Sequence, residues 1–146
     1  MSRQAIDLKT LAAGLHIVDV EALIYFAEDR AKAFKADRLK TNQLRNFYSA
    51  ILQIRQAFEI QQEFTKDIKT MLVLLKPKLA FAAGRQQAVR RNFKPFMDAA
   101  IEGVLNAPDT VDKTKDSSET RTGKTIALEN YFALIESVVA YHKFYE

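Results

Sequence analysis

The chain has 146 residues, 48% hydrophobic and 27% charged, with a net charge of +4. That is one domain's length, able to bury roughly 70% of its unfolded surface without staples, and the composition is that of a globular rather than a disordered protein. With no Cys, 4 Gly and 3 Pro, it lacks thiol chemistry, cysteine–zinc sites and disulfides, which suits a reducing cytoplasm, and it has few of the turns a hairpin-rich β fold needs.

Hydrophobic periodicity predicts helices throughout, and no strand-like alternation competes with it. Residues 1–18 show no strong pattern and are open to being flexible. Asp19 is placed to cap the first helix, whose apolar positions Leu23, Phe26, Ala27, Ala31 and Phe34 recur at three- and four-residue steps. Glu21 and Glu28 come early and Arg30, Lys32 and Lys35 late, as the helix dipole favours. A second helix starts at Thr41 or Asn42, either able to cap it, and carries Leu44, Phe47, Tyr48, Ile51, Ile54 and Phe58 on one stripe. The pattern loosens after Phe58 and resumes at Ile68, Met71, Leu72 and Leu75, until Pro77 forces a break near Lys76.

Residues 79–83, ending at Gly84, read as a short helical turn. The fourth helix runs from about Arg85 to Leu105, with Val89, Phe93, Phe96, Met97, Ala100, Ile101 and Val104 on one face, and Pro95 should kink it. Residues 106–124 are polar, lean acidic over 109–119 and form a long mobile loop. A last helix, from Thr125 to about Phe144, packs Ile126, Phe132, Ile135, Val138, Val139 and either Tyr141 or His142. The expectation is one all-α domain over 1–146: a compact bundle of about five helices, four long and one short, around a Phe-rich core.

Groups for bond chemistry are missing. Gly123-Lys124-Thr125 resembles the end of a phosphate-binding loop, but Ser118 stands where that motif has its first glycine, and no strand precedes it. Thr125 is better read as a helix cap. Neither His16, with Ala13 three residues before it, nor His142, with Val139, forms the Glu-x-x-His pair of di-metal bundles. No serine sits between elbow glycines. No catalytic residue, metal ligand or cofactor is therefore assigned. Uncharged stretches such as 10–18 fall far short of the about 20 apolar residues of a spanning helix, and Asp7 and Lys9 interrupt any N-terminal signal. No membrane partner is expected, and the location expected is the cytoplasm.

Charge is distributed unevenly. Over 30–45 the chain carries Arg30, Lys32, Lys35, Arg38, Lys40 and Arg45 against Asp37 alone; over 76–97 it carries Lys76, Lys78, Arg85, Arg90, Arg91 and Lys94 with no acid. Lys40, Thr41, Asn42, Gln43 and Arg45 surround a predicted helix N-terminus, where free backbone N–H groups favour an anion. The second block surrounds another predicted helix start, with Arg85 directly after Gly84, so that backbone and guanidinium could both approach a phosphate. Two such sites suit a polyanion better than a small metabolite, although the first, taken alone, reads more readily as a capped helix with solvated charges. Phe47, Phe81, Phe93 and Phe96 fall on apolar stripes and are assigned to the core. That leaves a sugar-phosphate strand to be held by shape and charge, without base stacking.

The run Leu39-Lys40-Thr41-Asn42-Gln43-Leu44-Arg45-Asn46-Phe47-Tyr48 resembles the signature of the small subunit of type III-A CRISPR effector complexes, the Csm small subunit. Leu75-Lys76-Pro77-Lys78-Leu79-Ala80-Phe81-Ala82-Ala83-Gly84-Arg85, the helix with Phe93 and Phe96, and Val138-Val139-Ala140-Tyr141-His142-Lys143 agree in order. The resemblance spans 39–143 apart from 106–122, and Gly84 departs from the Ala expected there. It implies a non-catalytic, all-helical subunit of an antiviral ribonucleoprotein. Such subunits self-associate in several copies beside a repeated RNA-binding backbone subunit and below a large polymerase-like subunit, along the channel where guide RNA pairs with target RNA. Carried over by position, Lys40, Gln43, Arg45, Lys78 and Arg85 are the RNA-facing residues; Arg90 and Arg91 are added from the charge block alone. The competing expectation is a protein-only interaction module whose charges serve solubility.

Overall fold

The computed structural model describes residues 6–114 and 117–146. In chain order these form α1 (Leu8–Ala13), a 3₁₀ turn (Leu15–Ile17), α2 (Val20–Ala36), α3 (Thr41–Gln61), α4 (Lys66–Val73), α5 (Leu75–Arg85), a π turn (Val89–Phe93), α6 (Lys94–Leu105) and α7 (Gly123–Phe144). The all-helical expectation holds: the one β feature among the described residues is an isolated bridge between Val111 and Thr122.

Periodicity did not announce α1. Asp7 caps it, accepting from the Thr10 N–H at 2.8 Å, and Leu11 and Leu15 are fully buried where α1 and the 3₁₀ turn pack on α6 and α7. Gly103 permits that approach. A methyl group there would lie 2.8 Å from Leu15 Cγ and closer still to the Leu11 carbonyl oxygen. Of the lead expected to be flexible, residues 1–5 lie outside the described residues.

Asp19 caps α2 as expected, accepting from the Ala22 N–H at 3.0 Å. The helix ends in a Schellman arrangement, with the Leu39 N–H donating to the Phe34 carbonyl and the Arg38 N–H to that of Lys35, both at 2.9 Å. The residue turned left-handed is Arg38, at φ 65°, a position that glycine or asparagine usually takes and that strains an arginine by about 1–2 kcal/mol. α3 then starts with Lys40, not Thr41 or Asn42, in the capping position. The cap comes from inside the helix: the Gln43 carboxamide oxygen accepts the Lys40 N–H at 2.8 Å. Thr41 donates its hydroxyl to Glu146 instead, at 3.1 Å.

The loosening after Phe58 is a full break. Gln62, at φ 61°, ends α3, and Thr65 caps α4 by accepting from the Ile68 N–H at 3.2 Å. The break expected near Lys76 falls at Leu74, because Pro77 fits the first turn of α5, where a missing N–H breaks no bond. α5 is therefore eleven residues long rather than a short turn, and it ends at Arg85. This corrects the expectation that Arg85 begins a helix: carbonyls, not free N–H groups, face outward at that end. The irregularity at Pro95 takes the form of the π turn, in which the Lys94 N–H reaches back to the Val89 carbonyl before α6 begins.

Thr122, not Thr125, caps α7, accepting from the Thr125 N–H at 3.2 Å. Thr125 is buried, and its hydroxyl accepts from the Phe64 N–H at 3.2 Å, tying the α3–α4 link to α7. Gly123 lies so close to Pro108 that a methyl group on it would sit 2.6 Å from Pro108 Cδ. The Lys124 N–H donates to the Pro108 carbonyl at 2.9 Å, which stitches together the base of the 106–124 segment. α7 runs along α2 and also touches α3 and α6, burying Leu128, Tyr131, Leu134, Ile135, Val138 and His142.

An aromatic cluster joins α2, α3, the π turn and α6 at one end of the core. Phe93 of the π turn stands 5.3 Å, centroid to centroid, from both Phe34 of α2 and Phe47 of α3, and Phe96 lies 5.4 Å from Phe34. Each such pair contributes about 0.5–1.5 kcal/mol beyond its buried area. The cluster thereby fixes the end of α2, the start of α3 and the π turn relative to one another, and those segments, with the link between α2 and α3, carry Lys35, Arg38, Lys40, Arg45, Arg90 and Arg91 of the two basic blocks.

Candidate functional site

Three adjoining hollows lie along these segments. The first, about 500 Å³, is lined by Lys35, Arg38, Lys40 and Thr41, with His142 and Glu146. A second, about 280 Å³, has Arg38 again, with Asp37, Gln87 and Arg91. The third, about 380 Å³, brings Gln43 and Asn46 of α3 opposite Lys78, Phe81 and Arg85 of α5, with Gln86 at its end. Arg38 joins the first hollow to the second, and the consecutive residues Gln86 and Gln87 join the third to the second. Across the third hollow the Gln43 amide donates to the Gln86 carboxamide oxygen.

Within the two basic blocks the structure separates structural cations from available ones. Arg30 pairs with Asp29, Lys76 with Glu102 and Lys94 with Asp98. Lys40, Arg45, Lys78, Arg85, Arg90 and Arg91 form no ion pair among the described residues. Lys78 Nζ donates to the Asn46 carbonyl at 3.3 Å and stands 5.6 Å from the Phe47 ring centroid. The Arg85 guanidinium lies 5.5 Å from the centroid of Phe81.

Two of the predicted residues fall away from this arrangement. Arg90 donates through Nε to the Ala83 carbonyl at 2.9 Å, closing the end of α5. Arg45 is exposed, but at 100° per residue it lies about 200° around α3 from Gln43, on the opposite face. Gln43 is a positioning residue, since its oxygen holds the Lys40 N–H and its amide holds Gln86. Phe81 is a further correction. It is 68% exposed rather than part of the core, whereas Phe47, Phe93 and Phe96 are buried as expected.

Arg38 is the residue that sequence reasoning did not single out. Its signal was present: the link between α2 and α3 contains no glycine, so a non-glycine residue has to take the left-handed position of the Schellman turn. His142, 1% exposed, supports that turn from below, its Nε2 bonded to the Leu39 carbonyl at 2.9 Å. Both acids at the hollows are engaged. Asp37 accepts from Asn92 Nδ2 at 2.6 Å. Glu146 pairs with Lys143 at 2.9 Å, and that ammonium, ahead of the Thr41 hydroxyl, holds its carboxyl below the usual carboxylate range.

The arrangement suits anion binding. Among the described residues no group of three His, Cys, Asp or Glu could hold a metal. The residues that resemble a phosphate loop have structural tasks: Gly123 clears Pro108, Lys124 Nζ holds the Ala107 carbonyl at 2.6 Å and Asp109 at 3.2 Å, and Thr125 holds Phe64. No helix among the described residues is long and apolar enough to cross a membrane. Comparison with curated proteins and with solved structures finds no match. The model of the family described as Csm2 Type III-A matches residues 18–146, a span that includes all three hollows, and the chain belongs to that family, as a small subunit of the type III-A Csm complex.

Proposed function

We propose that this subunit contacts the sugar-phosphate backbone of guide or target RNA, without regard to sequence and without catalysis, inside a cytoplasmic CRISPR complex that acts in antiviral defence. Several copies associate with one another and with the repeated backbone subunit and the large polymerase-like subunit. The observation that supports this reading is the run of cations in adjoining hollows, Lys35, Arg38, Lys40, Lys78, Arg85 and Arg91, while neighbours in the same sequence blocks are neutralised by acids. A single module offers few phosphate contacts, so assembly supplies most of the affinity.

The test is binding of the full chain to single-stranded and duplex RNA across a salt series. Arg85→Ala with Arg91→Ala lowers the affinity and flattens the slope against log salt by about 0.7–0.9 per lost phosphate contact. The thermal midpoint stays in place, because both side chains are exposed and neither forms an ion pair among the described residues. Unchanged affinity in the double variant overturns the reading. An equal loss from Arg45→Ala moves the interface to the outer face of α3.

A second observation favours protein neighbours. Val73 and Leu74, 38% and 61% exposed, line a groove of about 730 Å³ with Phe64 and Leu105. If the protein-only module is correct, RNA does not bind even at low salt while the other Csm subunits still co-purify.

A further inference from the structure

The third hollow holds a feature that backbone contact leaves unused. Leu75, Leu79 and Ala83 take the buried side of α5. Lys78, Phe81, Ala82 and Arg85, spaced i, i+3, i+4 and i+7, therefore form a second stripe along the same helix. That stripe places the 68% exposed Phe81 ring, opposite the carboxamide of Asn46, between Lys78, whose ammonium donates to the Asn46 carbonyl, and Arg85, whose guanidinium lies over the ring, and neither cation forms an ion pair among the described residues. Among the described residues the Asn46 side chain has no hydrogen-bond partner, Gln86 uses its oxygen and not its amide within the fold, and no acid lines the hollow.

We infer that Phe81 is a stacking platform for one unpaired nucleobase of the bound RNA, with Lys78 and Arg85 on the adjoining phosphates and the amides of Asn46 and Gln86 toward the base edge. This rests on the RNA-contact reading and adds a base to it. A nucleotide brings a flat π face and an anion in one unit, which matches a ring flanked by cations; an apolar side chain from a protein neighbour would fill the ring's surroundings and leave both cations without counter-charge. The volume of about 380 Å³ lies at the small end of the about 300–1,000 Å³ range of ligand pockets. Stacking of this kind tolerates any base, so it adds affinity without adding sequence preference.

The experiment uses the full chain and single-stranded RNA oligonucleotides carrying 2-aminopurine at successive positions, whose fluorescence falls on stacking. Wild type quenches the probe at each interior position, since binding without sequence preference takes no fixed register. Phe81→Ala and Phe81→Leu lose that quenching and bind about 5- to 100-fold more weakly, with the salt slope unchanged because no phosphate contact is lost. Phe81→Tyr keeps both affinity and quenching, and the thermal midpoint of each variant confirms folding. If wild type binds RNA but Phe81→Ala binds and quenches equally well, the platform is wrong and the backbone reading stands. If Phe81→Leu behaves as wild type, or Phe81→Ala impairs only association with the other Csm subunits, the ring is a protein contact and the inference is overturned. If wild type binds no RNA, both readings fall.

Discussion

Gly84 and Gly103 both lie within helices, so alanine at either removes the same backbone freedom from the unfolded chain, worth about 0.5–1 kcal/mol. The surroundings make the outcomes opposite. No other part of the fold comes within 4 Å of a methyl group at Gly84, so Gly84→Ala, in the last turn of α5, should stabilise by up to that amount. At Gly103 the methyl would meet Leu15 Cγ at 2.8 Å and press on the Leu11 backbone carbonyl. A leucine tip can rotate, but a carbonyl moves only if α1 moves. Overpacking of this kind destabilises by about 1–3 kcal/mol, and a backbone contact belongs toward the upper end. After subtracting the propensity gain, Gly103→Ala should lose about 1–2 kcal/mol. Urea unfolding of the two variants beside wild type reads both shifts as changes of midpoint at constant m. Gly103→Ala as stable as wild type would refute the close seating of α1 on α6, and a destabilised Gly84→Ala would mean that the outer face of α5 is covered.

Arg38→Gly should raise stability by about 1 kcal/mol by relieving the left-handed strain while weakening RNA binding; a variant that melts no higher, or binds RNA as well as wild type, contradicts one half of that pairing. The Glu119 carboxyl is drawn down to about 2 by the Arg121 guanidinium and N–H. A group depressed in the folded state contributes above its unfolded value of about 4.3 and loses that contribution as pH falls toward about 2. Glu119→Gln should therefore show a shallower fall of thermal midpoint than wild type across that window, by a small margin because the pair is screened by solvent; parallel curves would remove the pair from the fold's acid response. The Tyr131 hydroxyl is buried with no hydrogen-bond partner among the described residues, and burial alone pushes its pKa up. Tyr131→Phe should raise the thermal midpoint, since an unsatisfied buried hydroxyl costs about 1–3 kcal/mol; a lower midpoint would show that the hydroxyl has a partner.

The long helices were legible where one face alone is buried. α2, and α3 as far as Phe58, repeat apolar residues at three- and four-residue steps, and the start of each falls within two residues of its expected cap, whereas the end of α3 at Gln61 leaves no such trace. The errors fall where a different force sets the boundary. The end of α2 depends on an arginine adopting a conformation it disfavours, and the start of α3 on a glutamine reaching back one turn; neither leaves a hydrophobic trace. Pro77 was expected to stop a helix and instead helps to open one, since a missing N–H disrupts nothing in a first turn. α1 escaped notice because its docking depends on Leu11, in a helix too short to display a period, and on Leu15 in the 3₁₀ turn after it.

The charge blocks give a neighbourhood for the proposed RNA contact and cannot sort its members. Sequence alone cannot distinguish Lys94, held by Asp98 one turn later at 2.5 Å, from Arg91, which meets no acid among the described residues. It places Arg90 and Arg91 as equals, although one closes a helix end and the other lines a hollow. Phe81 illustrates the same limit for apolar residues: α5 carries two stripes about 120° apart, and only packing decides which is inside. Arg38 carries the argument furthest. Glycine at that turn would relieve the strain, yet the turn is held by its two Schellman bonds, by His142 on the Leu39 carbonyl and by Asn92 on Asp37. A turn fastened from several directions can hold a strained arginine in a fixed pose, and a cation fixed in advance loses less freedom when an anion arrives. On the proposed reading the strain belongs to the RNA-contacting surface, and the Arg38→Gly variant separates that from a mere imperfection of the fold, because only a binding role ties the gain in stability to a loss of RNA affinity.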